Sequence, residues 1–150
     1  MLDLEFTARF KKFCLSSAVT PFMGLLAAFG VLLSRYGDTE DLVVGTPISV
    51  RPHSQLEDLM GLFLNTVALR LDLTGKPNAL ELLSRVRERA LGAFENAEMP
   101  FDQLLQSLSV ERNLDRTPLF QVLFVLQNAS MSEVTLEGLK IKPRPTESRH

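Results

Sequence analysis

Two periodicities alternate along the chain, one of three to four residues and one of two. Leu2, Phe6, Phe10, Phe13 and Cys14 recur at helical spacing, with Glu5, Arg9, Lys11 and Lys12 mostly between them. This predicts an amphipathic helix over residues 3–15, broken at Ser16 and Ser17. Thr20 then stands as an N-cap with Pro21 at the first helical position. From 22 to 33 every residue is apolar or glycine, a run too short for a bilayer span of ~20 residues. It reads as a helix buried on nearly every side, with Gly24 and Gly30 admitting close neighbours. Ser34, Arg35 and Tyr36 return it to the surface, and Gly37-Asp38 turns the chain.

Residues 41–50 read as a buried strand around Leu42, Val43 and Val44, with Pro47 marking an end or a bulge of its ladder. Ser54-Gln55-Leu56-Glu57 has the capping-box pattern and predicts a short helix from 54 to about 61. Over 65–73 the alternation is strict: Val67, Leu69, Leu71 and Leu73 face one way, Ala68, Arg70 and Asp72 the other. That is a strand with one apolar face. Thr74-Gly75-Lys76-Pro77 is a turn. Asn78 caps a helix to about residue 97, its stripe formed by Leu82, Leu83, Val86, Ala90, Phe94 and Ala97, its charged face solvated. Met99-Pro100 breaks the chain, and 102–108 is a short helix with Leu104, Leu105 and Leu108 inward.

After a polar loop over 109–116, the run 117–128 is apolar at both parities, through Val122, Leu123, Phe124, Val125 and Leu126. A strand apolar on both faces is a central strand covered on both sides, and Pro118 fits at or before its first residue. A helix is the competing reading, but the run is short and proline opens it. A last strand is expected over 134–141. Residues 142–150 hold no apolar anchor and are expected to be mobile. The element order implies an α/β fold in which long helices cover a mixed sheet. Two features sit awkwardly in it. The helix over 22–33 asks for cover all round, and the last strand runs directly into the tail.

Composition narrows the class. With 45% apolar and 23% charged residues, the 150-residue chain falls in the range of one globular domain. A net charge of −2 leaves no basic stripe for nucleic acid. The single cysteine, Cys14, excludes an internal disulfide, and on an apolar helical face it reads as a buried thiol. The N-terminus lacks a secretory pattern, so the chain is expected in the cytoplasm, and the Asn128-Ala129-Ser130 triplet carries little weight. The histidines are His53, which reads as a loop residue rather than a general base, and His150, the final residue. Metal-ligand spacing, a phosphate loop and Gly-x-Ser-x-Gly are all missing from the sequence.

Four segments nevertheless share a resemblance. Asp41-Leu42-Val43-Val44-Gly45-Thr46-Pro47 followed by Arg51 resembles D-x-V-V-G-T-P-x-x-x-R. Gly61-Leu62-Phe63-Leu64-Asn65-Thr66-Val67-Ala68-Leu69-Arg70 resembles G-x-F-x-N-T-x-x-x-R. Asn96-Ala97-Glu98-Met99-Pro100-Phe101-Asp102-Gln103-Leu104-Leu105 resembles a segment whose core is P-F-[DE]-x-L. Arg112-Asn113-Leu114-Asp115-Arg116-Thr117-Pro118-Leu119-Phe120-Gln121 resembles R-x-x-x-R-x-P-L-F-Q. These are motifs of the condensation domains of nonribosomal peptide synthetases, in family order and across almost the whole chain. Asn96 stands where the family often has histidine, which leaves the subtype open. The Asn65-Thr66 pair favours peptide-bond condensation over epimerisation.

The resemblance implies a domain of two chloramphenicol-acetyltransferase-like lobes. The catalytic H-H-x-x-x-D-G motif belongs to the N-terminal lobe and does not occur here. Residues 1–141 are therefore expected to be most of a C-terminal lobe, lacking its last strand and helices, with 142–150 as a flexible tail. Missing cover would then explain both awkward features. The implied reaction joins acyl groups carried on phosphopantetheine arms, with no cofactor bound directly by this chain. The implied partners are the N-terminal lobe, peptidyl or acyl carrier proteins and an adjoining adenylation domain, with neither nucleic acid nor membrane.

Arg51 lies where the family's arginine pairs with the aspartate of the catalytic motif, and Asn65 is a second support residue. Read from chemistry alone, Arg51 is a solvated loop residue, and Asn65 and Arg70 satisfy backbone at a strand entry. Gly61, Phe63, Thr66, Arg70, Pro100, Phe101, Asp102, Arg112, Arg116, Pro118, Leu119, Phe120 and Gln121 are expected to be structural motif positions. An acyltransferase with alcohol acceptors, a non-catalytic interaction piece and a stand-alone binding domain are the alternatives.

Overall fold

The computed structural model describes residues 3–51, 54–56, 59–108 and 117–127. Helix α1 spans Leu4–Ser16, and the Asp3 side chain accepts the Phe6 N–H at its start. Helix α2 spans Pro21–Gly37, with Thr20 capping Met23 and Pro21 in the first turn as predicted. Strand β1 is Asp41–Ser49 and β2 is Leu64–Asp72. Helix α3, Ala79–Glu95, opens on a reciprocal cap. Asn78 accepts the N–H groups of Leu80 and Glu81, while Glu81 accepts the N–H of Asn78. Helix α4 is Phe101–Ser107. No single helix among the described residues is long and apolar enough to cross a membrane.

The strands pair antiparallel from Asp41↔Asp72 to Ser49↔Leu64. Helices α2 and α3 cover one face of this pair, burying Leu26, Val44, Leu69, Leu71, Leu82, Leu83 and Val86 together. The alternation read in the sequence holds, since Val67, Leu69, Leu71 and Leu73 are all buried. Two glycines of α2, Gly24 and Gly30, sit at close approaches. A Cβ on Gly24 would meet Cys14 Sγ at 2.8 Å and Phe10 Cζ at 2.9 Å, and one on Gly30 would meet Leu71 Cδ1 at 2.9 Å. Gly24 thus lets α1 cross α2, and Gly30 lets α2 lie against β2.

Several expectations are corrected. Helix α2 is not buried on nearly every side: Ala28, Val31 and Leu32 face outward, because the described residues supply cover only on the sheet side. The stripe of α1 is also partial, with Phe6 and Phe13 exposed and Cys14 buried. Leu108 points outward, past the end of α4. The helix expected from 54 to about 61 is a single tight turn, Ser54–Leu56, because the chain at 59–61 is already non-helical. Pro47 neither ends nor bulges the β1–β2 ladder. Val50 N–H bonds Phe63 C=O and Leu73 N–H bonds Glu40 C=O, so the even positions of β1 face β2. Pro47, at an odd position, takes no bond from that ladder.

Among the described residues the run 117–127 is not a covered central strand, and β1 holds the central place. Gly45 N–H donates to Val122 C=O and Phe124 N–H donates to Gly45 C=O, both at 2.9 Å, forming one parallel bridge. The next bond of that ladder would come from the N–H of residue 47, and proline has none. Pro47 therefore limits the pairing of this third segment. Its burial still alternates, with Val122, Phe124 and Leu126 half-buried and Leu123 and Val125 exposed. Phe124 reaches α2, its ring 5.5 Å from Phe22 and 5.4 Å from Phe29. The strand expected over 134–141, the loop 109–116 and the tail 142–150 lie outside the described residues.

Candidate functional site

Arg51 ends the β1 segment, and its guanidinium is turned back onto its own chain. It donates to the carbonyls of Leu56 and, at 3.2 Å, Leu59, and its carbon lies 4.4 Å from the centre of the Phe63 ring. A planar cation with several donors can do all three at once. The result is a clamp that fixes the turn Ser54–Leu56 and the approach to β2. Gly61 lies inside this clamped stretch, where a Cβ would stand 3.0 Å from Phe63 Cε2.

Asn65, one residue into β2, ties the second motif to the third. Its Nδ2 donates to the carbonyls of Ala97 and Met99, each at 2.7 Å, and its Oδ1 accepts the Thr66 N–H at 2.9 Å. Thr66 lies opposite Pro47 in the ladder. The other end of β2 returns to the first motif, where Arg70 grips Asp41 with two bonds of 2.8 and 2.7 Å. That hydrogen bond, aided by the charge, holds the Asp41 carboxyl below the usual carboxylate range.

The third and fourth motifs meet through aromatic rings. Pro100 precedes α4, its carbonyl accepting from the N–H groups of Gln103 and Leu104, so that Phe101 opens the helix and Asp102 sits exposed in its first turn. The Phe101 ring is 5.4 Å from that of Phe120. Phe120 in turn lies against Gly45, where an added Cβ would overlap its Cε2 and Cζ. Leu119, with φ of 73°, makes the turn that delivers Phe120. The Phe120 N–H bonds Pro118 C=O at 3.0 Å, and the Gln121 amide bonds Thr117 C=O at 3.0 Å.

The structure thus joins the described parts of all four segments through Asp41–Arg70, Arg51–Phe63, Asn65–Ala97/Met99, Phe101–Phe120 and Phe120–Gly45. Arg112 and Arg116 lie outside the described residues, as do His53 and His150. Among the described residues no group of three or more His, Cys, Asp or Glu could hold a metal. Cys14 is buried, and desolvation pushes its thiol up, away from reactivity. The contacts of the cluster hold its segments together. Two roles escaped the sequence reading. A glycine inside an apolar strand signals a close neighbour, which at Gly45 is Phe120. The left-handed backbone of Leu119 has no sequence signal of its own.

Comparison with known proteins gives the cluster a setting. The family model described as the condensation domain matches residues 1–150. The chain is 45% identical over 143 residues to one of the linear gramicidin synthase proteins of Brevibacillus parabrevis, covering 95% of this chain and 3% of that protein. It is 41% identical over 141 residues to malpinin synthetase of Mortierella alpina, covering 94% and 2%. Among solved structures, the X-domain of teicoplanin biosynthesis, in complex with OxyB, superposes with a TM-score of 0.75 at 32% identity, over 81% of this chain and 27% of that one. The condensation domain of the monacolin K polyketide synthase MokA gives 0.71 at 26% identity, over 81% and 29%. The chain therefore spans a few per cent of the synthetases and about a quarter of these solved chains.

Proposed function

This chain belongs to the condensation-domain family of nonribosomal peptide synthetases, and we propose that it supplies C-terminal-lobe support for amide-bond formation between two carrier-bound acyl groups. Residues 1–141 are the lobe portion in this reading, and 142–150 a tail. The observation that carries it is the joining of the four motif segments into one cluster by an ion pair, a cation–ring contact, side-chain-to-backbone bonds and ring packing. Such a cluster suits a scaffold that presents one surface to a catalytic partner.

In this reading the donor thioester and the acceptor amine arrive on phosphopantetheine arms of carrier proteins. The amine nitrogen attacks the thioester carbon, the C–N bond forms, the C–S bond breaks, and the thiol leaves on the donor arm. The histidine of the H-H-x-x-x-D-G lobe assists the proton transfer. Arg51 orders the surface that meets that lobe by clamping Leu56, Leu59 and Phe63. Asn65 fixes the register between β2 and the turn before α4. An adenylation domain adjoins, and the assembly works in the cytoplasm.

A second reading, with an alcohol as acceptor, takes support from the structure of SgcC5, matched at 33% identity and TM-score 0.66, whose complex holds a diol. The test is mass analysis of products from a complete domain carrying this segment, offered a loaded donor with amine and alcohol acceptors. Amide formation supports the first reading, ester formation the second, and neither product rejects both.

A further inference from the structure

The third segment poses a problem of register. In residues 122–126 both parities are apolar, so hydrophobic pattern alone does not choose which set faces α2. A slip of one residue would exchange Val122, Phe124 and Leu126 for Leu123 and Val125, which are apolar too. The structure holds one register all the same, with two bonds to Gly45 and Phe124 among the rings of Phe22 and Phe29.

We propose that the turn 117–121 is a register lock, in which the left-handed Leu119 seats the Phe120 ring on Gly45 and so fixes which face of 122–126 turns inward. The seat accepts a ring at one place only. A side chain at 45 would overlap Phe120 and stand 2.8 Å from Leu123 Cδ2, which rests beside the ring, and the neighbouring positions of the same face of β1, Val43 and Pro47, both carry side chains. A slip of two residues therefore meets Val43 or Pro47, and a slip of one is opposed by the turn. The turn is held from both ends, by Phe120 N–H on Pro118 and by the Gln121 side chain on Thr117. Phe101 covers the ring from α4. A leucine at φ of 73° is a costly way to make a turn, and its surroundings keep it there.

Thiol labelling tests the lock. Val122→Cys and Leu123→Cys report the inward and outward positions, and the native Cys14, fully buried at 0% exposure, reports unfolding in the same molecule. With the native turn, residue 123 labels several-fold faster than residue 122. In Phe120→Ala and in Leu119→Val, whose β-branch resists a left-handed backbone, that ratio falls to unity or inverts while Cys14 stays unlabelled. Leu119→Gly keeps the ratio, because glycine holds a positive φ without strain. The native ratio persisting in both Phe120→Ala and Leu119→Val overturns the proposal, as does loss of the ratio in Leu119→Gly. Labelling of Cys14 as fast as the reporters in both variants also overturns it, since the turn would then carry global stability and not register.

Discussion

The Phe120 ring fills the space that a side chain on Gly45 would need, with Cζ standing 2.5 Å from where that Cβ would be. One contact thereby joins the first motif segment to the fourth, and Phe101 extends it to the third. Gly45→Ala is predicted to destabilise the chain by ~1–3 kcal/mol through overpacking, read as a shift in urea midpoint at unchanged slope. Phe120→Leu in the same background should recover part of the loss, a coupling that two independent sites would not show.

Asn65 makes the corresponding join between the second and third segments. Asn65→Ala removes two donors from the Ala97 and Met99 carbonyls and one acceptor from Thr66, and should cost ~1–3 kcal/mol. Asn65→Asp should be the worse variant despite its similar shape, because a carboxylate oxygen would face two carbonyl oxygens. Equal stabilities for the alanine and aspartate variants would show that these bonds are not made in solution.

Much of this is legible in the sequence, for physical reasons that differ by element. The alternation over 67–73 predicts β2 because one face is buried, and the Asn78 and Thr20 caps are local events that need no tertiary context. Among the described residues the run 117–127 lacks the cover on both sides that its apolarity at both parities implies, and the missing N–H of Pro47 limits its pairing with β1. The apolarity of α2 likewise overstates its burial, since Val31 and Leu32 are exposed among the described residues. At the site, the four segments are recognisable as motifs, yet their mutual contacts are not. The reach of Asn65 to Met99 spans 34 residues, and no local pattern encodes it.

Acid should weaken the β1–β2 pair. The Asp41 carboxyl is held low by the hydrogen bond and charge of Arg70, and that of Asp72 by the Thr74 hydroxyl and N–H and then by Arg85. Folded carboxyls with lowered pKa contribute stability that is present above their unfolded values, roughly 4, and is lost as pH falls through the folded ones. The urea midpoint should therefore decline below about pH 4 and level off once both are protonated. Both groups are well exposed, so the effect is small. Asp41→Asn should flatten part of the decline, and an unchanged slope would show that the pair is fully screened.

Arg51 should matter more to turnover than to folding. In a complete domain carrying this segment, Arg51→Ala loses the clamp on Leu56, Leu59 and Phe63, and with it the ordered surface offered to the catalytic lobe. Turnover is expected to fall on the order of a hundredfold, equivalent to ~3 kcal/mol, with a stability loss of about 1 kcal/mol. Arg51→Lys should rescue only part, since an ammonium cannot bond two carbonyls and lie flat on a ring together. Wild-type turnover in Arg51→Ala would leave Arg51 a loop residue.

In the proposed function this lobe supports a reaction whose proton chemistry belongs to another. Amide formation from two loaded carrier proteins should be measured with the 150-residue chain alone and with the same chain joined to a lobe bearing H-H-x-x-x-D-G. The chain alone should give background product, and the joined protein should turn over. Turnover by the chain alone, or none from a well-folded joined protein, would contradict this.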